Sequence, residues 1–331
     1  MLGAPLAARS ADEPLTLKIG ILNAVSDAPI FIAEKHGYFR DEGITPQYQI
    51  FGSATQMVAP LGAGQLEVGA GGTSAGLFNA IGRGLDMRIV ADKASDPPGY
   101  GFAPLLVRNE LLKSGRFKTI KDLKGMTVAV NAPGSSSWPE LGAVLDKAGL
   151  KWDDVKHVAL DYPNHIVSLK NGAVDASITI EPFATSALEN SDVTKVMSSD
   201  QFYPYQQVAV LIYSGAFLRN HKSGLRFMRA YLKGVRHFNG ALANGKIAGP
   251  NADDVIRILV ESTPTKDPEI FRKITPNGCN PNGHVNMPSM RRDLEFYRGL
   301  GLIENKVTAD ETYDPTFVSE AVKSLGVYRK K

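Results

Sequence analysis

Residues 127–138 read Thr-Val-Ala-Val-Asn-Ala-Pro-Gly-Ser-Ser-Ser-Trp, and this stretch decides the predicted fold. Its β-branched start favours a short buried strand. Pro133-Gly134 then turns the chain into a helix, in which Ser137 and Glu140 have the spacing of a capping box, and Gly149 ends the helical pattern. A strand, a loop of small residues and a helix N-terminus follow one another, so we expect free backbone N–H groups to point out of this loop.

An earlier stretch, residues 68–81, repeats this arrangement. A short strand ends at Gly71-Gly72, Thr73 and Ser74 are suited to cap a helix, and Leu77 begins its apolar stripe. Two such helix starts facing each other would form a small site for an anion or a polar ligand. The alternative is that each junction is an ordinary turn between a strand and a helix, as in any α/β protein.

Size and composition exclude several classes of protein. With 331 residues the chain is too long for one core, which predicts two domains. The 37 basic and 34 acidic residues leave a net charge of +3, too balanced to indicate nucleic-acid binding. The single cysteine, Cys279, excludes an intramolecular disulfide and a cysteine-cluster metal site. We predict no cofactor and no metal.

The N-terminus carries two alternative interpretations. Residues 1–13 are small and apolar up to Arg9 and resemble the end of a signal peptide whose charged start has been removed. A disordered extension is the alternative. If the chain is exported, a single free thiol without a disulfide fits a bacterial periplasm, which is the localisation we expect. No apolar run approaches the length of a membrane span.

The order of predicted elements indicates two similarly built α/β lobes. The segment Gly64-x-Leu66-Glu67-Val68 and the later Gly172-x-Val174-Asp175-Ala176 each follow a helix and precede a short strand. Lobe 1 is predicted to comprise residues 14–102 and 213–331, with a helical tail after Ser214, and lobe 2 residues 103–212. The chain then crosses between lobes near 101–108 and 206–213, and these two strand connectors would form a hinge beside a ligand cleft.

Four further motifs carry a resemblance to a known family. They are Ala28-Pro29-Ile30-x-x-Ala33-x-x-x-Gly37-Tyr38-Phe39-x-x-Glu42-Gly43-Ile44, Gly64-x-Leu66-Glu67-Val68-Gly69, Asp122–Val130 with Gly134-Ser135-Ser136, and Gly172-x-Val174-Asp175-Ala176 with Glu181-Pro182-Phe183. Over roughly residues 15–325 the sequence resembles the periplasmic substrate-binding proteins of the nitrate/sulfonate/taurine ABC transporters, a family that includes SsuA-like and NMT1/THI5-like proteins. Two positions depart from it: Glu67 stands where the family usually has Asp, and Trp138 where smaller or polar residues are frequent.

The resemblance implies a fold, partners and a set of binding residues. The fold is the α/β type II periplasmic-binding-protein fold, two Rossmann-like lobes joined by two hinge strands, and the partners are an ABC permease and ATPase at the membrane. Ligand contacts would come from the loops after the strands. The implied residues are Asn23, Asp27, Ala28, Pro29, Gly52, Ser53, Ala54, Gly72, Thr73, Ser74, Pro133, Gly134, Ser135, Ser136, Ser137, Trp138, Tyr162, Glu181 and Phe183.

Several of these residues have structural alternatives. Asp27 is also suited to cap a helix, Trp138 to pack a helix, and Glu181 to a turn before Pro182. A further candidate, Lys93, follows a predicted strand and faces either the cleft or solvent, where it would form a surface salt bridge.

The expected function is capture of a small organic anion, a sulfonate or carboxylate with an apolar or aromatic body, without catalysis. We expect a monomer. The alternatives are an enzyme on the same fold acting on a small aromatic or pyrimidine compound, and a ligand-sensing receptor module. Cys279 lies in a tail loop away from the strand ends, which argues against a cysteine nucleophile. The six histidines show no metal spacing or triad pattern, and only His165 is predicted near the cleft.

Overall fold

A computed structural model describes residues 14–329, so the predicted signal-peptide remnant at residues 1–13 lies outside the described residues. The strands are β1 (Leu15–Ile21), β2 (Ile44–Ile50), β3 (Val68–Gly72), β4 (Met87–Ser95), β5 (Leu105–Arg108), β6 (Thr127–Val130), β7 (Lys156–Ala159), β8 (Ala176–Ile178), β9 (Val193–Met197), β10 (Gln207–Ser214), β11 (Leu242–Ala243) and β12 (Lys246–Ile247). The α-helices are α1 (Ala28–Lys35), α2 (Tyr38–Asp41), α3 (Val58–Gly62), α4 (Ala75–Gly82), α5 (Asn109–Lys113), α6 (Ser137–Ala148), α7 (Tyr162–Asn171), α8 (Phe183–Asn190), α9 (Ser199–Phe202), α10 (Gly215–Arg219), α11 (His221–Ala241), α12 (Ala252–Ser262), α13 (Pro268–Lys273), α14 (Met287–Gly299) and α15 (Thr316–Leu325). None of these helices is both long and apolar enough to cross a bilayer.

Two five-stranded sheets organise the described chain, and their strand orders match. The first sheet has the order β2-β1-β3-β10-β4, and the second has the order β7-β6-β8-β5-β9. In each sheet three neighbouring strands are parallel, and the fourth runs antiparallel to its neighbours on both sides. That antiparallel strand, β10 or β5, is the first strand after the chain crosses between sheets. The predicted α/β two-lobe fold is confirmed.

The predicted second domain boundary does not fit the sheets. Strand β10 pairs with β3 and β4 of the first sheet, so a boundary at 212/213 would cut it. An apolar run does not reveal which of two sheets it joins, which explains the misplacement. We therefore propose that the crossings are residues 96–104 and 198–206. The sequence interpretation also missed β9 and the short β11–β12 hairpin, which interrupts the predicted all-helical tail.

The helical tail packs mainly on the first sheet, where the long helix α11 is buried among α1, α12 and α15 through Phe227, Tyr231, Phe238 and neighbouring residues. Helix α14 is different because it contacts both halves of the molecule. Its Phe296 lies against Gly142 of α6, where an added Cβ would collide with the ring. Gly142 therefore permits this close contact between the tail and the second sheet.

The two crossings are held side by side by hydrogen bonds. The Asp96 N–H donates to the carbonyl of Gln206 (3.2 Å), and the Tyr205 N–H donates to the carbonyl of Asp96 (2.7 Å). Gly101 packs directly on the start of α9, where a Cβ would lie 2.5 Å from the backbone nitrogen of Asp200. The side chain of Asp96 is fully buried between them.

A buried ion pair anchors the start of α1 to the first sheet. Nζ of Lys93 lies 2.8 Å from Oδ1 of Asp27, and both side chains are 0% exposed. Lys93 also donates to the Ser26 hydroxyl (2.9 Å), and the other oxygen of Asp27 accepts the N–H groups of Leu22 and Ala24. Lys93 lies within β4 and not after a strand, and its full burial shows that the predicted exposed position is wrong.

Removing one member of this pair should be costly. We expect Lys93→Met to lower the free energy of unfolding by about 3–5 kcal/mol, because it leaves the Asp27 carboxylate buried without its counter-charge. The matched control is Lys35→Met, which breaks a pair with Glu261 whose side chains are 40% and 41% exposed, and which should cost below about 1 kcal/mol. Urea unfolding measures both, and equal losses would contradict the assignment.

The buried carboxyl of Asp96, in the first crossing between the sheets, should make the stability of the protein depend on pH. Burial raises the pKa of Asp96 from 3.8 to about 8, opposed in part by contacts from Ser199 and Phe102. The stability contributed by this proton is fully present below about pH 4 and is lost as the pH rises to about 8, since the unfolded chain gives up the proton first. From pH 5 to 8 the wild type should lose about 3–4 kcal/mol of stability through this group.

The variant Asp96→Asn cannot titrate, so it should lose less stability than the wild type between pH 5 and pH 8. The exposed Asp153 supplies the control, because Asp153→Asn should keep the wild-type dependence. Urea midpoints at the two pH values measure the difference. A wild-type slope in Asp96→Asn would show that the Asp96 carboxyl is not protonated in the folded protein.

Candidate ligand-binding site

The loops that follow the strands of the two sheets meet each other, and the closest meeting is between the starts of α4 and α6. Ser74 and Ser135 form an isolated antiparallel bridge, and the Ala75 N–H donates to the carbonyl of Gly134 at 2.9 Å. A Cβ added to Gly72 would lie 2.7 Å from Oγ of Ser136. The two helix starts therefore face each other, as their paired sequences predicted, while ligand binding by these residues stays a prediction.

The N–H groups of these two starts are largely engaged by the chain itself. The Ser74 hydroxyl accepts the Leu77 N–H (3.1 Å), which confirms Ser74 as a helix cap. On α6 the N-cap is Ser136 without a side-chain cap bond, and the Ser137 hydroxyl accepts the N–H of Asn131 (2.9 Å). The capping box predicted for Ser137 and Glu140 is therefore wrong. In this arrangement the α4 start closes against lobe 2.

Two further contacts join the lobes beside this meeting. The Asn131 amide donates to the carbonyl of Gly52 (3.3 Å), and Gly52 lies so close to Asp161 that a Cβ would come within 2.5 Å of its carboxylate. The Val25 N–H donates to the carbonyl of Glu181 at 3.3 Å. The strand-end loops of both sheets thus touch at three places, which describes a closed cleft.

Glu140 is the residue of this region that sequence reasoning missed. Its side chain is 1% exposed, and neither carboxyl oxygen has a hydrogen-bond partner among the described residues. Burial raises the pKa of Glu140 well above its usual value, and the neighbouring carboxyl groups of Asp96 and Asp293 raise it further. Burial therefore favours the neutral, protonated form of this carboxyl. A glutamate in the first turn of a helix normally indicates capping, so the sequence carries no signal for this role.

Aromatic side chains follow β7 and β8 near Glu140. Tyr162 and Phe183 stack with ring centroids 6.2 Å apart and an interplanar angle of 12°. Burial raises the pKa of Tyr162, and the charge of Glu140 adds to that shift, which places the carboxyl close to the phenol. Across the cleft, the Ser53 hydroxyl is buried and has no partner within residues 14–329. The strand-end loops of lobe 2 thus carry a stacked aromatic pair, and two buried polar side chains of this region, Glu140 and Ser53, have oxygen atoms without a partner among the described residues.

Trp138 belongs to a separate aromatic cluster. Its ring lies 4.8 Å from Trp152 and 5.2 Å from His157, and Trp152 in turn contacts Phe296 of α14 at 5.7 Å. This arrangement favours the packing alternative for Trp138 over a cover for a ligand.

The remaining predicted residues divide by environment. Asp27 and Lys93 pair with each other, and Thr73 donates to Asp293 at 3.4 Å. The Glu181 carboxylate accepts the N–H (2.8 Å) and the hydroxyl (2.9 Å) of Thr185, as the turn alternative requires. Asn23, Ala28, Pro29 and Ala54 are buried near the ends of β1 and β2, Gly134 is buried in the contact with α4, and Pro133 is exposed.

The two side chains considered for catalysis, His165 and Cys279, are both buried. His165 is buried, with Nδ1 2.8 Å from the Thr179 hydroxyl and Nε2 3.1 Å from the carbonyl of Leu160. Burial lowers its pKa to about 4, so the imidazole is neutral and both nitrogens are engaged. Burial also raises the pKa of the Cys279 thiol well above its usual value, which disfavours a reactive thiolate.

Comparison with known proteins agrees with this geometry. At 29% identity over 179 residues, 51% of this chain and 52% of the relative, the sequence is similar to an Escherichia coli (strain K12) protein whose name describes it provisionally as an aliphatic sulfonates-binding protein. The chain spans about half the length of the curated relatives it matches.

Solved structures resemble the whole fold. The alkanesulfonate-binding protein SsuA from Xanthomonas axonopodis pv. citri, bound to MOPS, superposes with a TM-score of 0.70 at 18% identity, covering 92% of this chain and 99% of that one. The periplasmic nitrate-binding protein NrtA from Synechocystis PCC 6803 superposes with a TM-score of 0.75 at 13% identity, covering 96% and 90%. The desulfurization enzyme DSZB also shares the fold, with a TM-score of 0.63 at 13% identity over 94% and 99%.

The family model described as NMT1-like matches residues 10–246, well over half of the sequence. Its match includes the loops after β1, β3, β6 and β8 that line the closed cleft. The predicted resemblance is thereby confirmed, and this chain belongs to the NMT1-like family.

Proposed function

We propose that this chain is the solute-binding component of an ABC importer and captures a small organic anion by closing two lobes over it. The observation that carries the proposal is the meeting of strand-end loops from both sheets, at Ser74–Ser135, Gly52–Asn131 and Val25–Glu181. Loops at a topological switch point are where α/β proteins bind ligands, and closure removes the ligand from water. The sulfonate- and nitrate-binding proteins among the relatives support solute binding. The protein acts as a periplasmic monomer that docks on a permease.

The ligand class follows from the groups that line the cleft. Tyr162 and Phe183 offer a flat apolar surface to an aromatic or aliphatic body. A protonated Glu140 donates a hydrogen bond, which a sulfonate or carboxylate oxygen accepts. The positive end of the 12-residue helix α6 favours the same charge. The only basic residue among the predicted contacts, Lys93, is committed to Asp27, so a neutral donor and a helix end replace a cation here.

Catalysis is not part of the proposal. His165 has both ring nitrogens engaged, and Cys279 is a buried thiol near Asp92 and Tyr231. Turnover of any bound compound would contradict this view.

Ligand binding should change stability and fluorescence together. We expect one class among alkanesulfonates, aromatic carboxylates, taurine, nitrate and pyrimidines to raise the thermal midpoint, with about 2.7 kcal/mol of added stability at one hundred times Kd. The two tryptophans of the chain lie together at the contact with Phe296, so closure should alter their emission at the same concentrations. If only neutral pyrimidines raise the thermal midpoint, the proposed anionic ligand is wrong. If no compound raises it, none of the proposed classes is the ligand.

Glu140 should contribute to ligand affinity by donating a hydrogen bond from its protonated carboxyl group. With the best anion from that panel, Glu140→Ala should weaken binding roughly 10- to 100-fold, the cost of one hydrogen bond to a charged group. Glu140→Gln keeps a neutral donor and should bind within about threefold of the wild type, given the small cost of exchanging one neutral donor for another. Titration calorimetry measures both, with ligand-free thermal unfolding as the folding check. Tighter binding by Glu140→Ala would show that the carboxyl repels the ligand.

A further inference from the structure

Three side chains that play no part in the cleft meet at the other end of α1. His36 follows α1 directly, His237 lies in α11, and Asp254 lies in the first turn of α12. Nε2 of His36 is 2.7 Å and Nε2 of His237 is 2.8 Å from the same oxygen, Oδ2 of Asp254. The two imidazole centroids are 4.3 Å apart. All three donor atoms lie within 4.8 Å of one another.

We propose that His36, His237 and Asp254 bind a divalent transition-metal ion, with Zn²⁺ the best fit to these donors. Zinc takes imidazole nitrogen and carboxylate oxygen at about 2.0–2.2 Å, which at tetrahedral angles holds the donors about 3.3 Å apart. Each nitrogen must move only about 0.5 Å from the carboxylate oxygen to reach that spacing. Calcium and magnesium prefer oxygen donors throughout and fit this set poorly.

The three backbones are already fixed by packing. Helices α1, α11 and α12 share one apolar core that includes Ile32, Phe238 and Val255, each fully buried. Gly234 of α11 touches the carbonyl of Pro29, so a side chain there would separate the helices. A site whose donors are held by a packed scaffold requires little reorganisation on binding.

Polar neighbours surround the donors and fix the carboxylate. Burial lowers the pKa of His237, and the neighbouring His36 lowers it further. Desolvation raises the pKa of Asp254, but hydrogen bonds from His36, Arg257 and His237 outweigh it, so the pKa falls. Arg257 holds the other carboxylate oxygen at 2.6 Å and so orients Oδ2 toward the histidines.

The position is accessible and separate from the cleft. The side chains of His36, His237 and Asp254 retain 31%, 19% and 32% exposure, which leaves room for an ion to enter and for a water to complete its coordination. Helix α1 starts at the cleft and runs away from it for 8 residues, about 12 Å. A metal ion here would bind without blocking the solute and would join α1 to α11 and α12.

The test uses the full chain without an affinity tag and Zn²⁺ alone in titration calorimetry. We expect one site, weakened at least tenfold in His36→Ala and in His237→Ala. The matched control is His221→Ala. His221 begins α11, the helix that carries His237, and pairs with Glu320 of α15 at 2.9 Å, but within residues 14–329 it joins no cluster of potential metal ligands. It should bind Zn²⁺ as the wild type does. Wild-type affinity in His36→Ala, or equal losses in all three variants, would overturn the proposal.

A second readout covers a variant that folds poorly. His36 lies after the end of α1 and is partly exposed, so His36→Ala is the primary variant, checked by its thermal midpoint without metal. Co²⁺ should give the intense visible absorption of a four-coordinate site in the wild type, and excess Mg²⁺ should leave it unchanged. Loss of that absorption on adding Mg²⁺, or its persistence in His36→Ala, would count against the site.

Discussion

The approach of two helix starts from different sheets governs the closed form of this molecule. Ser74 and Ser135 come into backbone contact only because the residues around them are small. Gly134 has φ +65°, and a Cβ there would lie 3.1 Å from Cβ of Ala75, while Gly72 lies against Ser136. A larger side chain at Gly72 or Gly134 would hold the lobes apart. This contact holds the start of α6, the helix that carries Glu140, against lobe 1.

Closure of the lobes buries both acidic and apolar side chains. Burial of the apolar side chains stabilises the closed form, whereas burial of the acidic groups destabilises it. Burial raises the pKa of Asp293 to about 7, although the Tyr203 hydroxyl donates to it at 2.6 Å. Asp293, Asp96 and Glu140 together form a buried acidic region where the hinge meets the cleft. On the outer side, Phe296 of α14 packs on Trp152 and favours the closed form. Because these contributions oppose each other, we expect the open and closed forms to differ little in free energy, and a ligand that binds the closed form can shift the equilibrium toward it.

The fold was largely readable from the sequence, and the interior of the cleft was not. Strand, loop and helix-start patterns at 68–81 and 127–138 identified both lobes because backbone capping and apolar periodicity are local properties. Other features depend on which distant segments pack together, and a local pattern does not show this. They are the sheet that β10 joins, the burial of Lys93 and the unpaired carboxyl of Glu140. The same holds for His36, His237 and Asp254, which are separated by helices and show no metal spacing in the sequence.

Disulfide trapping tests the central contact most directly. Residues paired across an antiparallel bridge have Cα atoms about 4.5–5.5 Å apart, within the range a disulfide spans. We predict that Ser74→Cys with Ser135→Cys oxidises rapidly within one chain, seen as a faster-migrating, thermally stabilised species. Ser74→Cys with Ser114→Cys, an exposed position of lobe 2 after α5, should not. Equal, slow oxidation of both pairs would show that the lobes do not close at Ser74 and Ser135, and the account of this protein as a closing solute binder would fail.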